Sequence, residues 1–255
     1  MYRGSFSITA WLTAAMVLLG ALLWPTLGRS VLAATGLSPT HERAEAARRR
    51  VLPELERRLT PLGLKLGDSV FVRIFKRERI LEVWMQPGAD KGFQRVHAYP
   101  ICAFSGALGP KMRQGDGQAP EGFYSVRRAQ LNPASSYHLS FNLGFPNAYE
   151  RAQGWTGDYL MVHGSCVSIG CYAMGDEAIE EIYTLMDAAL RSGQRAVNVH
   201  AFPFHLNAEH ERLRQNSPHG DFWAQLAEGY RAFDDTRLPP QISVHRGRYR
   251  VGSGS

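Results

Sequence analysis

From Ser69 to Phe202 short apolar segments alternate with clusters of Gly, Pro and Asn, and that punctuation rules out a long-helix bundle. Val70, Val72 and Ile74 alternate at a period of two. A charged turn at Lys76-Arg77-Glu78-Arg79 follows, and Ile80, Glu82 and Trp84 alternate again. Such spacing places successive side chains on opposite faces, so both segments read as strands. Further strand candidates are 95–104, 122–129, 138–143, 159–163 and 196–202, with turns at 115–122 and 132–136. Short strands in series with few helices predict a mainly β (α+β) domain built as an antiparallel sandwich or barrel.

The helical signals lie around this region. His41 to Leu59 is rich in Ala, Glu, Arg and Leu, and Pro53 is expected to kink or restart it. A second helix has Asp176 as expected N-cap and Gly193 as expected C′ residue. Its stripe of Ile179, Ile182, Tyr183, Met186, Ala189 and Leu190 reads as core packing. Residues 207–233 suggest two more helices and 241–251 a final strand. The expected division is 1–33 as leader, 34–68 as linker and neck helix, 69–206 as the β-rich domain and 207–255 as a C-terminal helical extension.

Ser5 to Trp24 carries no charge, with Arg3 before it and Arg29 after it. A run of about 20 apolar residues is long enough to span a bilayer. It is either a cleaved signal peptide, with Val31-Leu32-Ala33 as a small-residue site, or a retained inner-membrane anchor. Either reading exports the rest of the chain. The net charge of +6 favours an anionic surface. No zinc-finger spacing, aromatic RNA-binding motif or dense basic helix is present, so nucleic acid is not an expected partner.

The chain has 3 cysteines, Cys102, Cys166 and Cys171, so an exported protein keeps at least one free thiol. A free thiol in an oxidising compartment calls for a reason. His163-Gly164-Ser165-Cys166-Val167-Ser168-Ile169-Gly170-Cys171-Tyr172 follows an apolar strand and precedes the helix at Asp176. A tight loop there can bring Cys171 to His163. Attack on an amide needs a thiolate, an imidazole to take the proton, and N–H donors for the oxyanion. The amides of Gly170, Cys171 and Tyr172 are candidate donors, and Ser168 or Ser165 can orient the loop. A backbone carbonyl would serve to hold the other imidazole nitrogen. Inert core thiols and a disulfide from Cys102 to either partner stay open on spacing alone. Cys-x4-Cys is a poor match to zinc ligand pairs, so no metal is expected.

These residues carry a resemblance. His163-Gly164 followed by Ser168-Ile169-Gly170-Cys171 resembles the active-site segment of the YkuD-type L,D-transpeptidase domain. Tyr99–Lys111 (YPICAFSGALGPK), Gly115–Tyr124 (GDGQAPEGFY), Leu139–Asn147 (LSFNLGFPN) and Val199–Phe204 (VHAFPF) resemble the YafK-like subgroup. Roughly residues 70–206 are covered. Two departures stand out. The commoner signature has His before the Gly-Cys pair, where this chain has Ile169. It has Arg shortly after the Cys, where this chain has Tyr172-Ala173-Met174.

The resemblance implies a sandwich-like catalytic domain at 69–206, a periplasmic location and no cofactor. It implies Cys171 as nucleophile and His163 as base, with Gly164, Ser168, Gly170 and Tyr172 supporting loop and oxyanion. The implied reaction is attack on the amide at the L-centre of diaminopimelate in peptidoglycan stem peptides, through a thioester. An amine acceptor gives transpeptidation. Water gives hydrolysis, which in this subgroup means release of wall-attached lipoprotein. With the usual Arg missing, Lys111, Arg113 or a residue of the C-terminal extension is expected at the substrate carboxylate, and Tyr124 and Asn142 are further substrate-binding candidates. The rivals are a non-catalytic wall-binding module and an unrelated cysteine peptidase.

Overall fold

The computed structural model describes residues 39–252. The chain divides into a unit of residues 1–42 and a unit of residues 43–255, and the architecture below is that of the second. The expected leader over 1–33 lies outside the described residues. Among the described residues no helix is long and apolar enough to cross a membrane.

In chain order the strands are β1 (Ser69–Phe75), β2 (Ile80–Gln86), β3 (Gln94–Pro100), β4 (Ala103–Phe104), β5 (Gly122–Val126), β6 (Leu131–Asn132), β7 (Ser140–Asn142), β8 (Met161–His163), β9 (Tyr172–Ala173), β10 (Val197–Phe202), β11 (Gln241–His245) and β12 (Arg248–Gly252). The helices are α1 (Pro39–Leu59), α2 (Ala148–Ala152), α3 (Asp176–Arg191), α4 (Glu211–Gln215) and α5 (Gly220–Thr236). One five-stranded sheet has the order β3-β2-β1-β10-β5 and a second the order β4-β9-β8-β7-β6, while β11 and β12 form a hairpin. In the first sheet only β1 and β10 run parallel; in the second only β8 and β9 do. The mainly β architecture is the expected α+β class, but each sheet is mixed rather than antiparallel, because β1–β10 and β8–β9 are joined by crossovers rather than hairpins.

The first sheet is covered on both faces, which explains the near-continuous burial along β1. Val70, Val72 and Ile74 face one core together with Val83, Val199 and Tyr124. Leu55 and Leu59 of α1, Ile179 and Ile182 of α3, and Phe141, Val162 and Tyr172 of the second sheet complete that core. Each such buried side chain contributes about 1.5–3 kcal/mol. The alternate residues Phe71, Arg73 and Phe75 face away, in register with Asn198, His200 and Phe202. Phe233, Tyr230 and Leu226 of α5 and Tyr249 of β12 line this second face. Arg73 pairs with Asp234 at 2.7 Å and lies over the rings of Tyr230 and Phe75.

Several local expectations change. α1 runs on through Pro53, because Leu55 and Leu59 are buried beyond it and packing outweighs one lost hydrogen bond. The cap of α3 is Gly175, and Asp176 is its first helical residue. Gly193 follows the helix at φ 109°, as a C′ glycine does. The final strand over 241–251 is a hairpin. Arg246 and Gly247 both have positive φ, which a two-residue turn between right-twisted strands requires. Cys102 is exposed between β3 and β4 rather than buried in a strand.

The charged turn after β1 also differs from its sequence reading. Lys76 points inward and is fully buried. Its ammonium meets Glu121 Oε1 and the carbonyls of Gly109 and Ala119, each at 3.0 Å. Glu121 accepts in turn from Gly109 N–H and from the indole of Trp223, both at 2.7 Å. Burial draws the lysine pKa down and Glu121 draws it back up. Replacing Lys76 with Met leaves Glu121 buried and unpaired, so Lys76→Met is expected to lower unfolding stability by about 3–5 kcal/mol in urea titration. An unchanged midpoint would show that the pair holds nothing.

Candidate active site

The register of the second sheet builds the site. β8 and β9 pair in parallel with Val162 opposite Tyr172 and His163 opposite Ala173. Paired residues share a face and neighbours along a strand alternate. Val162 and Tyr172 therefore face the core, while Met161, His163 and Cys171 share the opposite face. β7 extends the row, with Ser140 opposite His163 and Asn142 opposite Met161.

The loop joining these strands is held by short polar contacts. Gly164 donates its N–H to Leu139 O at 3.0 Å. A Cβ there would lie 2.6 Å from Asp176 Oδ1 and 2.8 Å from Tyr137 O, so the passage admits only glycine. Ser165, with φ 58°, donates to Asp176 Oδ1 at 2.7 Å. Cys166 is joined to Cys102 with a Cα–Cα separation of 5.4 Å, which leaves Cys171 as the free cysteine. Ser168 Oγ accepts from Cys171 N–H at 3.0 Å and donates to Cys171 O at 2.7 Å. Gly170, at φ 100°, donates to Ser105 Oγ at 2.6 Å.

The thiol and the imidazole rest as neutral groups. Burial pushes the Cys171 thiol pKa up, against the Met161 N–H at 3.4 Å from sulfur and the positive charge of Lys111. The thiol donates to Tyr159 O at 3.7 Å. Burial draws His163 below its ordinary value, against the carbonyl of Gly164. That carbonyl lies 2.5 Å from His163 Nδ1, which fixes the proton on Nδ1 and leaves Nε2 as the basic nitrogen. Tyr137 covers the imidazole, with ring centroids 4.6 Å apart, and His163 is 1% exposed. The rim is open: Ile169 is 90% and Tyr159 72% exposed.

The remaining sequence candidates sort by geometry. Gly164 and Ser168 shape the loop directly. The N–H groups of Gly170 and Cys171, expected to serve an oxyanion, already donate to Ser105 and Ser168 in this resting arrangement. Tyr172 is buried, with its hydroxyl on Pro120 O at 2.7 Å. Lys111 is buried and paired with Asp116 Oδ1 at 2.5 Å, so its charge is largely compensated. Burial raises the Asp116 pKa, yet hydrogen bonds from Lys111 and the N–H groups of Arg113, Met112 and Gln118 outweigh it and hold it down to about 2. Arg113 is exposed, and its guanidinium forms no ion pair among the described residues. Asn142 lies in the row with Met161, but its Oδ1 accepts from Gly144 N–H at 2.7 Å. Tyr124 is a correction: it is buried in the first sheet with its hydroxyl donated to Glu150, so it offers nothing to a substrate at Cys171.

Sequence reasoning missed Ser105, Tyr137 and the N–H of Met161. Ser105 lies within the quoted 99–111 segment, yet nothing local marks it as the acceptor for Gly170. Among the described residues no group of His, Cys, Asp and Glu could hold a metal ion.

A family model described as the L,D-transpeptidase catalytic domain, YkuD, matches residues 70–199. The chain is 49% identical over 186 residues to the putative L,D-transpeptidase YafK of Escherichia coli K12, across 73% of this chain and 75% of that one. Among solved structures it is similar to a K307A mutant of the helical cell shape determining protein Pgp2 of Campylobacter jejuni. That match has TM-score 0.43 and 19% identity, over 74% of this chain and 78% of that one. It is also similar to L,D-transpeptidase 1 of Mycobacterium tuberculosis, at TM-score 0.30 and 11% identity over 53% and 62% of the two chains.

The electrostatics give a direct expectation. Thiolate is required for alkylation, so the iodoacetamide rate at Cys171 should titrate above the ordinary thiol value and stay low at neutral pH. Lys111→Met removes a charge that favours the thiolate, so it should move that midpoint further up. A midpoint below the ordinary value, or a downward move in the variant, contradicts the neutral resting pair.

Proposed function

Because this chain belongs to the YkuD family of L,D-transpeptidase catalytic domains, it is an enzyme acting on peptidoglycan, and we propose that it works through a thioester on Cys171. The observation that supports this most is that the one free cysteine shares a sheet face with a histidine whose Nδ1 is fixed by the Gly164 carbonyl. Cys171 Sγ attacks the carbonyl carbon of the amide at the L-centre of diaminopimelate. His163 Nε2 takes the thiol proton as the S–C bond forms. The C–N bond then breaks, and the imidazolium returns that proton to the leaving amine.

A neutral resting pair suits this sequence. Charge separation is unfavourable in a buried site until an electrophile accepts the sulfur lone pair, so the thiolate forms as attack proceeds. The acyl group leaves to an amine of a second stem peptide in transpeptidation, or to water in hydrolysis. Hydrolysis on a stem bearing lipoprotein releases the lipoprotein. The open rim at Tyr159 and Ile169 admits either acceptor. Arg113 takes the role of carboxylate ligand, since its guanidinium is exposed where Lys111 is paired.

The enzyme acts outside the cytoplasm, in the periplasm, with Ser5–Trp24 as export signal or anchor. The Cys102–Cys166 disulfide supports that placement, because such bonds persist in oxidising compartments.

The test uses tetrapeptide muropeptide and lipoprotein-linked muropeptide, with products identified by mass. Wild type should yield a new cross-link or a released tripeptide, Cys171→Ala should yield neither, and His163→Ala should lose about 10²–10⁴-fold in rate. Turnover by Cys171→Ala at the wild-type rate would end this reading.

A further inference from the structure

The outward face of the first sheet carries an unexplained polar row. Ser69 is in register with Gln86, Phe71 with Asn198, and Asn198 with Ser125. In-register residues share a face, so these uncharged polar side chains stand together at one end of it, away from the Arg73–Glu82 pairing further along. Next inward come His200 and Phe123, again paired across β10 and β5. Residues 239–244 and Tyr249 of the C-terminal hairpin close over them and leave a cleft of about 580 Å³. That lies within the range of ligand sites, roughly 300–1,000 Å³.

Three properties define what fits. No charged side chain lines the cleft, although the chain as a whole carries +6. Its polar groups are carboxamides and hydroxyls, which both donate and accept. Asn147 and Tyr249 among them are bonded to each other at 2.8 Å, which fixes one wall. Phe93, Phe123 and Tyr249 supply ring surface. His200 is 2% exposed and lines the same cleft, and its Nδ1 has no hydrogen-bond partner. His200 is thus a core histidine that the fold leaves unsatisfied at Nδ1. Burial and the nearby Arg73 hold its pKa down to about 3, so the ring is a neutral donor and acceptor. A buried polar atom without a partner is costly, so the floor of the cleft holds a hydrogen-bonding group that the fold itself does not satisfy.

We propose that this cleft binds an uncharged, acetamido-bearing sugar chain, the chemistry of the peptidoglycan glycan strand. The identity of the chain rests on the peptidoglycan reading above. Carboxylates of a stem peptide would be desolvated here without a cation, whereas sugar hydroxyls and acetamides match the carboxamides, and sugar ring faces match the aromatic rings. The roof lies beyond residues 70–199, so the C-terminal extension gains a role that the matched catalytic domain does not supply.

The full chain carrying Cys171→Ala, which cannot turn over, is titrated calorimetrically with chitotetraose and separately with free stem tetrapeptide. Chitotetraose should bind saturably. Asn198→Ala should weaken it about tenfold, the loss expected of one or two hydrogen bonds. Ser125→Trp, introduced at an exposed position, should fill the cleft and abolish binding. In the Cys171-containing chain, both variants should leave the melting temperature and the iodoacetamide rate at Cys171 unchanged. Absence of saturable sugar binding, or binding that Ser125→Trp leaves intact, overturns the proposal. If sugar binds through Asn198 while Cys171 never acylates, the thioester chemistry falls and the cleft stands. If Cys171 acylates and sugar does not bind, the cleft falls alone.

Discussion

A fully buried ion pair, Lys76 with Glu121, fixes the part of the chain on which the site leans. Two unpaired charges in a core are unfavourable by several kcal/mol each, so this pair survives because its remaining valences are satisfied. Lys76 meets two carbonyls, and Glu121 meets a backbone N–H and an indole. The contacts join the end of β1, the irregular segment 105–121 and α5. Segment 105–121 in turn supplies the Ser105 hydroxyl that receives Gly170 N–H, the Pro120 carbonyl that receives the Tyr172 hydroxyl, and the charge of Lys111. Cys171 therefore sits between two walls, one of sheet and one of loop. The Lys76–Glu121 pair anchors the loop wall through the Gly109 and Ala119 backbone.

The same burial sets the chemistry. It raises the thiol pKa and lowers the imidazole pKa, the neutral forms from which the proposed attack would start. In the proposed reaction, positioning then carries much of the catalytic task. Nδ1 is bound to the neighbouring carbonyl, the disulfide Cys102–Cys166 pins the loop, and Ser168 clips the Cys171 backbone at two points. The raised thiol pKa keeps little of Cys171 as thiolate at neutral pH, which protects a free cysteine against oxidation.

Much of this was legible in the sequence. Val70, Val72 and Ile74 announced β1 because period two is a local signal, and the stripe from Ile179 to Leu190 announced α3 for the same reason. Cys171 and His163 were visible as residue types at the ends of a strand and a loop. Their shared face was not, since it depends on parallel pairing of β8 with β9, a contact between segments that spacing cannot register. Lys76 looked like part of a solvated turn, because its partner is 45 residues away. The hairpin at 241–252 was read as one strand, since Arg246 adopts a positive φ that its residue type does not advertise. The missed features share one cause: their geometry is dictated by distant chain.

The central claim is a covalent bond between Cys171 and the substrate acyl group. The most direct measurement is acid-quenched intact mass with peptide mapping, after mixing the enzyme with tetrapeptide muropeptide. A transient adduct of the tripeptide acyl mass is expected on the peptide containing Cys171, labile to hydroxylamine as a thioester is. Product formation with no adduct on that peptide at any time, or an adduct on another residue, would contradict it.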